Sequence, residues 1–327
     1  MRLLIIGGAG YIGSHMVKML HKLACRVVTL DNLSSGYRDS VLFGDFIEGD
    51  IADAELLHNV LSQGFDGVMH FASFIQIGES VLNPEKYYSN NFANTLNLLN
   101  AMKKHGVRNF IFSSTAAIFG EPEYLPIDER HPYKPINPYG RSKLMVEQVL
   151  ADYDKAYGIK SISLRYFNAA GADPEGLLGE RHDPETHLIP LILQVASGRK
   201  PHITIYGEDY STFDGTCIRD YIHIQDLCLA HWLAFKYLMS GGESGAFNLG
   251  NGNGFSVNQV IDSAIKISKK PIKVLKGSRR DGDPECLIAN SILAKERLGW
   301  VPQYSELDTI VSHAWSWEKN FLVNNMV

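Results

Sequence analysis

Tyr139 and Lys143 stand four residues apart in the run Pro138-Tyr139-Gly140-Arg141-Ser142-Lys143. On a helix they share one face, one turn apart. A phenol ionises near pH ~10 when unperturbed, and a neighbouring ammonium stabilises the phenolate. Tyr139 tuned in this way takes or returns a proton at a carbinol near neutrality. Alone, a Tyr-x-x-x-Lys pair is a common feature of surface helices, so its context decides its meaning. Upstream, Ser113-Ser114-Thr115 closes an apolar run, Arg108–Thr115. A hydroxyl at such a strand end can bridge a substrate oxygen and Tyr139, or simply cap the backbone.

The context begins at the amino end. Leu3-Leu4-Ile5-Ile6 reads as a strand buried on both faces, followed by the turn Gly7-Gly8-Ala9-Gly10-Tyr11-Ile12-Gly13. Apolar residues at Ile12, Met16, Val17, Met19 and Leu20 then recur at roughly helical spacing. Strand, glycine turn and helix together make a dinucleotide-binding opening, in which the helix N-terminus faces a pyrophosphate. The spacing reads either as G-x-G-x-x-G from Gly8 or as G-x-x-G-x-x-G through Gly7, Gly10 and Gly13. A second strand, Arg26–Leu30, ends in Asp31. A carboxylate there accepts from both ribose hydroxyls and repels a 2′-phosphate, which argues for NAD over NADP. With a dinucleotide in place, Lys143 can also hold the nicotinamide ribose.

Further strands are expected near 43–48, 67–72, 108–114 and 159–165, with helices from about Asp53, over 87–105 and over 139–157. This alternation predicts an α/β, Rossmann-type doubly wound parallel sheet with a smaller α/β substrate domain. The expected division is residues 1–168 for the NAD-binding domain, regaining part of 219–242, and 169–327 mainly for the substrate. Beyond residue 168 the elements are expected to be short and irregular. Asp50, after the third strand, either accepts from an adenine amine or caps the following helix.

With 327 residues, 45% of them hydrophobic, and a net charge of −5, the chain gives no reason to expect nucleic acid or an anionic membrane as a partner. Its four cysteines, Cys25, Cys217, Cys228 and Cys286, have neither disulfide nor metal-site spacing, and no metal ligands are read elsewhere. A strand starting at residue 3 leaves no room for a signal peptide, so a cytoplasmic location is expected.

The sequence resembles the extended short-chain dehydrogenases and, within them, the UDP-galactose (UDP-glucose) 4-epimerases. The resemblance covers nearly the whole chain. It runs through the glycine turn, Asp31–Gly36, His70-Phe71-Ala72, Ser113–Thr115, Pro138–Lys143, Leu164–Asn168, Arg219–His223 and Arg280–Asp283, with Gly78-Glu79-Ser80 pointing to the epimerases. It implies that a captive NAD accepts and returns hydride at carbon 4 of a UDP-hexose, with Tyr139, Thr115 and Lys143 as the catalytic residues. Implied cofactor contacts are Tyr11, Ile12, Asp31, Asn32, Leu33, Ser34, Ser35, Gly36, Asp50, Ile51, Phe71, Ala72, Ser73, Phe74, Ile75, Asn90, Tyr139, Lys143 and Phe167. Implied nucleotide-sugar contacts are Thr115, Asn168, His187, Leu188, Tyr206, Arg219, and Arg280 through Asp283. The arginines suit a diphosphate, whose oxygens a guanidinium fork grips in pairs.

Three positions depart from the family's commoner residues. Thr115 stands for a serine and keeps the hydroxyl. Ile75 stands where a lysine often contacts the cofactor, and Leu287 stands where an aromatic limits sugar size in some members. The smaller Leu287 suggests room for a 2-acetamido group, as in UDP-GlcNAc and UDP-GalNAc. Members are usually homodimers packed through two helices, for which 87–105 and 139–157 are the candidates. Dehydratases on this fold carry acids directly after the strand-end threonine, whereas here Ala116-Ala117 follow. A dinucleotide sensor would not need both Tyr139 and Lys143.

Overall fold

The structure is a computed structural model and describes residues 1–280 and 282–325. Its amino-terminal half alternates strand and helix: β1 (Arg2–Ile6), α1 (Tyr11–Lys22), β2 (Arg26–Asp31), β3 (Asp45–Glu48), α2 (Ala54–Leu61) and β4 (Gly67–His70). There follow α3 (Ile77–Leu82), α4 (Pro84–Tyr87), α5 (Asn94–His105), β5 (Asn109–Thr115), α6 (Pro138–Tyr157) and β6 (Lys160–Tyr166). The other half contributes β7 (Asn168–Ala170), α7 (Leu188–Ala196), β8 (Ile203–Tyr206), β9 (Ile218–His223), α8 (Ile224–Met239) and β10 (Gly245–Leu249). It ends with β11 (Gly254–Ser256), α9 (Val257–Ser268), β12 (Val274–Gly277), β13 (Cys286–Leu287), α10 (Ile292–Leu298) and α11 (Leu307–Asn325).

Seven strands form one sheet in the order β10-β6-β5-β4-β1-β2-β3, and every pairing is parallel. The continuous apolar run of β1 follows from this position. Leu3 and Ile5 pack with Met16, Val17 and Leu20 of α1 and with Leu227 and Phe235 of α8. Leu4 and Ile6 point the other way, against Leu57 of α2, Leu98 and Met102 of α5, and Val146 and Leu150 of α6. Alternate side chains of a central strand feed two layers, so none is free to be polar. Each such side chain contributes on the order of 2 kcal/mol by leaving water.

The sheet has one strand more than the sequence suggests. β10 pairs with β6 from Gly245 to Leu249. Five residues opening on glycine, with a buried Asn248, carry too little strand signal to stand out. The expectation of short elements beyond residue 168 holds for strands but not for helices, since α8, α9 and α11 span 16, 12 and 19 residues. Helix α8 is apolar nearly all round because β5 and β6 lie on one side and α1 on another, which erases its periodicity. The single helix expected over 87–105 is broken, because residues Tyr88–Ala93 form a π-helical turn between α4 and α5.

A smaller layer lies beyond the carboxyl ends of the large sheet. Strands β7, β9, β11 and β13 form a second sheet, and β8 pairs with β12. Helices α7, α9 and α11 close a separate core over them. Asp220, fully buried in β9, joins these pieces by accepting from the backbone N–H groups of Asn251 (2.8 Å), Gly252 (3.0 Å) and Ala289 (3.1 Å). Among the described residues, no helix is long and apolar enough to cross a membrane.

Burial pushes the Asp220 carboxyl up to about 6, against the pull of those three N–H groups. An unfolded aspartic acid releases its proton near pH ~4. Between those values the folded chain holds the proton and the unfolded chain has lost it, so this group makes stability fall as pH rises. Denaturant unfolding across pH 4 to 6 is expected to show that decline in the native protein and a flatter profile in Asp220→Asn; parallel profiles would contradict it.

Candidate active site

The glycine turn is a crossing of backbones. Gly7 has φ +79°, and a Cβ there would lie 2.4 Å from the Ala72 nitrogen. A Cβ on Gly13 would lie 2.1 Å from the Gly7 carbonyl oxygen. At Gly10 the nearest atom to such a Cβ is 3.5 Å away, and no side chain caps α1 there. A Cβ on Gly8 would lie 2.6 Å from the Thr29 side chain, so Gly7, Gly8 and Gly13 all carry a steric constraint, and both spacings keep their meaning. The α1 N-terminus keeps its N–H groups for an anion.

Asp31 lies at the end of β2, where its carboxylate accepts from Ala9 N–H and Leu33 N–H, both at 2.8 Å. It therefore clamps the glycine turn to the second strand. Gly36 belongs to the same contact, because a Cβ there would lie 2.7 Å from the Ala9 carbonyl carbon. Asn32 donates to Asp50 (2.6 Å) and accepts from Ser34 N–H (3.0 Å), so the 31–36 turn is braced from within. Of the two readings for Asp50, the helix cap falls to Asp53, which accepts from Leu56 N–H; Asp50 accepts instead from Ala52 N–H.

Phe71, Ala72, Ser73 and Ile75 follow β4 in a loop held by the buried Asn91. Its amide accepts from Phe74 N–H and donates to the Phe74 carbonyl, both at 3.0 Å, and it accepts in turn from Asn90. The π-helical turn presents both asparagines to that loop. Ile51 is buried and Ile75 half-exposed.

Asn137 caps α6 by accepting from Gly140 N–H, and Pro138 opens its first turn. Gly140 lets the helix close on the turn after β5, since a Cβ there would meet the Ala117 carbonyl oxygen at 2.5 Å. Tyr139 and Lys143 are consequently 9% and 3% exposed, facing the end of β5. Lys143 donates to the Ser113 carbonyl (2.9 Å), and burial pushes its pKa down to about 7.

The three hydroxyls after β5 separate by role. Ser113 donates to Nε2 of the neutral His231 (3.0 Å), whose Nδ1 donates to the Leu227 carbonyl. Ser114 donates to Glu147, which also pairs with the buried Arg165. Thr115 accepts from Ala117 N–H, leaving its own proton for the Tyr139 oxygen. The expected lowering of the Tyr139 phenol by Lys143 is not what the structure shows. Burial raises the phenol, and the group that opposes this is Thr115. Dehydration of the site outweighs the cation, whose charge is itself weakened by the same burial.

Arg219 on β9 donates to the Ile218 carbonyl and pairs with Asp283. Arg280 lies 4.0 Å over the ring of Tyr206, and Asp281 falls outside the described residues. Asn168 donates to the Asp220 carbonyl (3.0 Å). Leu287, in register with Arg219, packs with Phe167 and Ala116 on the cluster of Ile118, Phe119 and Ile127. Leu287 therefore sits beside the turn that follows Thr115. His187 precedes Leu188 at the start of α7 and belongs to another group, with Glu180, His182 and Glu185. No local pattern in the sequence marks Asn91, His231 or Glu147, because which single polar residue is buried against the site is decided by neighbours distant in the chain.

A family model described as the NAD dependent epimerase/dehydratase family matches residues 3–250. The chain belongs to this family. It is 49% identical to the UDP-glucose 4-epimerase of Halalkalibacterium halodurans over 98% of this chain and 96% of that protein. A crystal structure of UDP-glucose 4-epimerase from Brucella ovis in complex with NAD superposes with a TM-score of 0.94 at 48% identity, over 96% and 97% of the two chains. The UDP-Glc/GlcNAc 4-epimerase of Campylobacter jejuni follows with a TM-score of 0.86 at 43% identity, over 98% and 99%. The family's dinucleotide matches what the glycine turn leaves open: a helix N-terminus without a cap, a carboxylate at the end of β2, and an ammonium at the end of β5.

Replacing Gly13 by Ala forces the Gly7 carbonyl to move by roughly an ångström to restore ordinary contact. NAD affinity measured by fluorescence titration is expected to fall at least tenfold in Gly13→Ala. It is expected to be unchanged in Gly245→Ala, whose Cβ would meet only Phe247 at 4.0 Å. Equal affinities in the two variants would contradict the crossing.

Proposed function

We propose that this chain interconverts UDP-galactose and UDP-glucose by NAD-dependent epimerisation at carbon 4, with no net oxidation. The observation that carries the reading is the buried Thr115–Tyr139–Lys143 constellation at the carboxyl end of the sheet. The turn from Gly7 to Gly13 would hold the pyrophosphate, Asp31 through Gly36 the adenosine ribose, and Lys143 the nicotinamide ribose. The chemistry supplied by bound NAD is acceptance and return of the hydrogen at carbon 4.

The chain's own residues move the proton. Thr115, already accepting from Ala117, donates to Tyr139 and so favours the phenolate that takes the proton of the 4-hydroxyl. Lys143, pushed down to about 7, gives or takes a proton near neutrality and exchanges it with little cost. Arg219 and Arg280 grip the diphosphate, which lets the oxidised sugar turn over while the nucleotide stays anchored. Asp283 holds Arg219 in place before substrate arrives. Two lobes divide the work: residues 1–168, with part of 219–242, serve the cofactor, and the remainder of 169–327 mainly serves UDP. Further parts of this reading are tight retention of NAD, a homodimer packed through α5 and α6, and a cytoplasmic location.

Leu287 supports a wider sugar range. At the position where an aromatic is implied to limit size, leucine leaves space for a 2-acetamido group. Product analysis with UDP-galactose and UDP-GalNAc tests both claims. The native protein is expected to convert both, and Tyr139→Phe to lose activity on both by roughly 10²–10⁴-fold with NAD binding intact. Near-native rates in Tyr139→Phe would remove Tyr139 from its role, and conversion of UDP-galactose alone would remove the one given to Leu287.

A further inference from the structure

The loop between β7 and α7 gathers four side chains that the epimerase chemistry does not use together. The ligand atoms of Glu180, His182, Glu185 and His187 all lie within 4.8 Å of one another. Nδ1 of His187 is 2.8 Å from Glu180 and 3.0 Å from Glu185, while Nδ1 of His182 is 3.3 Å and 3.6 Å from the same two carboxylates. Those carboxylate side chains are only 6% and 4% exposed. Buried carboxylates demand compensation by positive charge. A tetrahedral ion with N and O ligands at about 2.0–2.2 Å holds its ligand atoms roughly 3.3–3.5 Å apart, which the observed separations bracket.

A second observation concerns His182. Its Nδ1 is buried and has no hydrogen-bond partner, although two carboxylates lie within 3.6 Å. Its Nδ1 thus stands at similar distances from the two carboxylates, as ligand atoms around a common centre do.

We propose that Glu180, His182, Glu185 and His187 bind one divalent transition-metal ion of the zinc class. Two imidazole nitrogens and two carboxylate oxygens suit zinc or cobalt, whereas magnesium and calcium favour all-oxygen sites with more ligands. All four positions come from the chain, so the site is closed and its role is structural. Charge balances with or without the metal. A divalent ion and two neutral imidazoles neutralise the two carboxylates, as two imidazolium groups otherwise do, so uptake releases the imidazolium protons to solvent.

The site's position gives it a purpose. The Tyr11 ring, in the first turn of α1, meets the His182 ring edge-on at 6.4 Å, and its hydroxyl donates to the Gly171 carbonyl (2.7 Å). His187 directly precedes α7. An ion here fastens the loop between the cofactor turn and the segment read as contacting the nucleotide sugar, and with Nδ1 as ligand His187 keeps Nε2 for other contacts.

The test uses the full chain, stripped with chelator and titrated with Co²⁺. One equivalent per chain is expected to give the intense visible bands of tetrahedral cobalt. Zn²⁺ is expected to abolish them and Mg²⁺ to leave them unchanged. His182→Gln and Glu185→Gln, each checked for folding by circular dichroism, are expected to lose the bands or weaken binding at least tenfold. Zn²⁺ is also expected to raise the melting temperature of the native chain and not of the folded variants. Absence of tetrahedral bands in the native chain would overturn the proposal, as would identical bands in a folded variant, which would place the ion elsewhere.

Discussion

The bond from Lys143 to the Ser113 carbonyl is the constraint on which the rest of the site depends. It joins a central strand to the helix that crosses its end, and it does so where both are buried. A buried ammonium needs a partner, and the carbonyl it finds is the one just before the hydroxyls. Fixing Lys143 there fixes the first turn of α6, and with it Tyr139 against Thr115. Gly140 allows the approach, Asn137 and Pro138 start the helix at the right residue, and Asn91 holds the facing loop. Each is a small local choice, and all of them serve one placement.

Much of this was legible in the sequence. β1 announces itself because a central parallel strand cannot carry polar side chains, and the glycine turn because crossing backbones exclude a Cβ. The Tyr139–Lys143 pair was readable because both residues sit on one helical face. β10 was not readable, since its burial comes from partners 83 residues away in the chain (Gly245 opposite Ile162) rather than from its own composition. The same reason hid α8, whose two packed sides leave no polar stripe. Within the site, the sense of the Tyr139 shift was misjudged because spacing reveals a neighbour's charge but not the depth of burial. By residue type alone Ser113 and Ser114 match Thr115, which only the resemblance singles out; in the structure His231 and Glu147 engage the two serines.

The smaller lobe shows a contrasting economy. Its strands are tied by a buried acceptor as well as by short sheets: Asp220 gathers three backbone donors, while Asp226 of α8, on the large sheet, fastens the approach to α11 by accepting from Gln303 and Tyr304 N–H. Such ties fix loops that have no ladder of their own. They hold the arginine-bearing strand β9 firmly, while Leu287 packs in a small apolar cluster with Phe167 and Ala116. On the proposed reaction, the nucleotide has to stay fixed while the same sugar ring is accepted in two orientations.

The central claim is that hydrogen leaves carbon 4 and returns to the same carbon without exchange. The most direct measurement is conversion of UDP-galactose deuterated at carbon 4 in unlabelled water, with excess unlabelled NAD added. Deuterium retained at carbon 4 of the UDP-glucose formed is the predicted result. Loss of the label to water or to the added cofactor would contradict it.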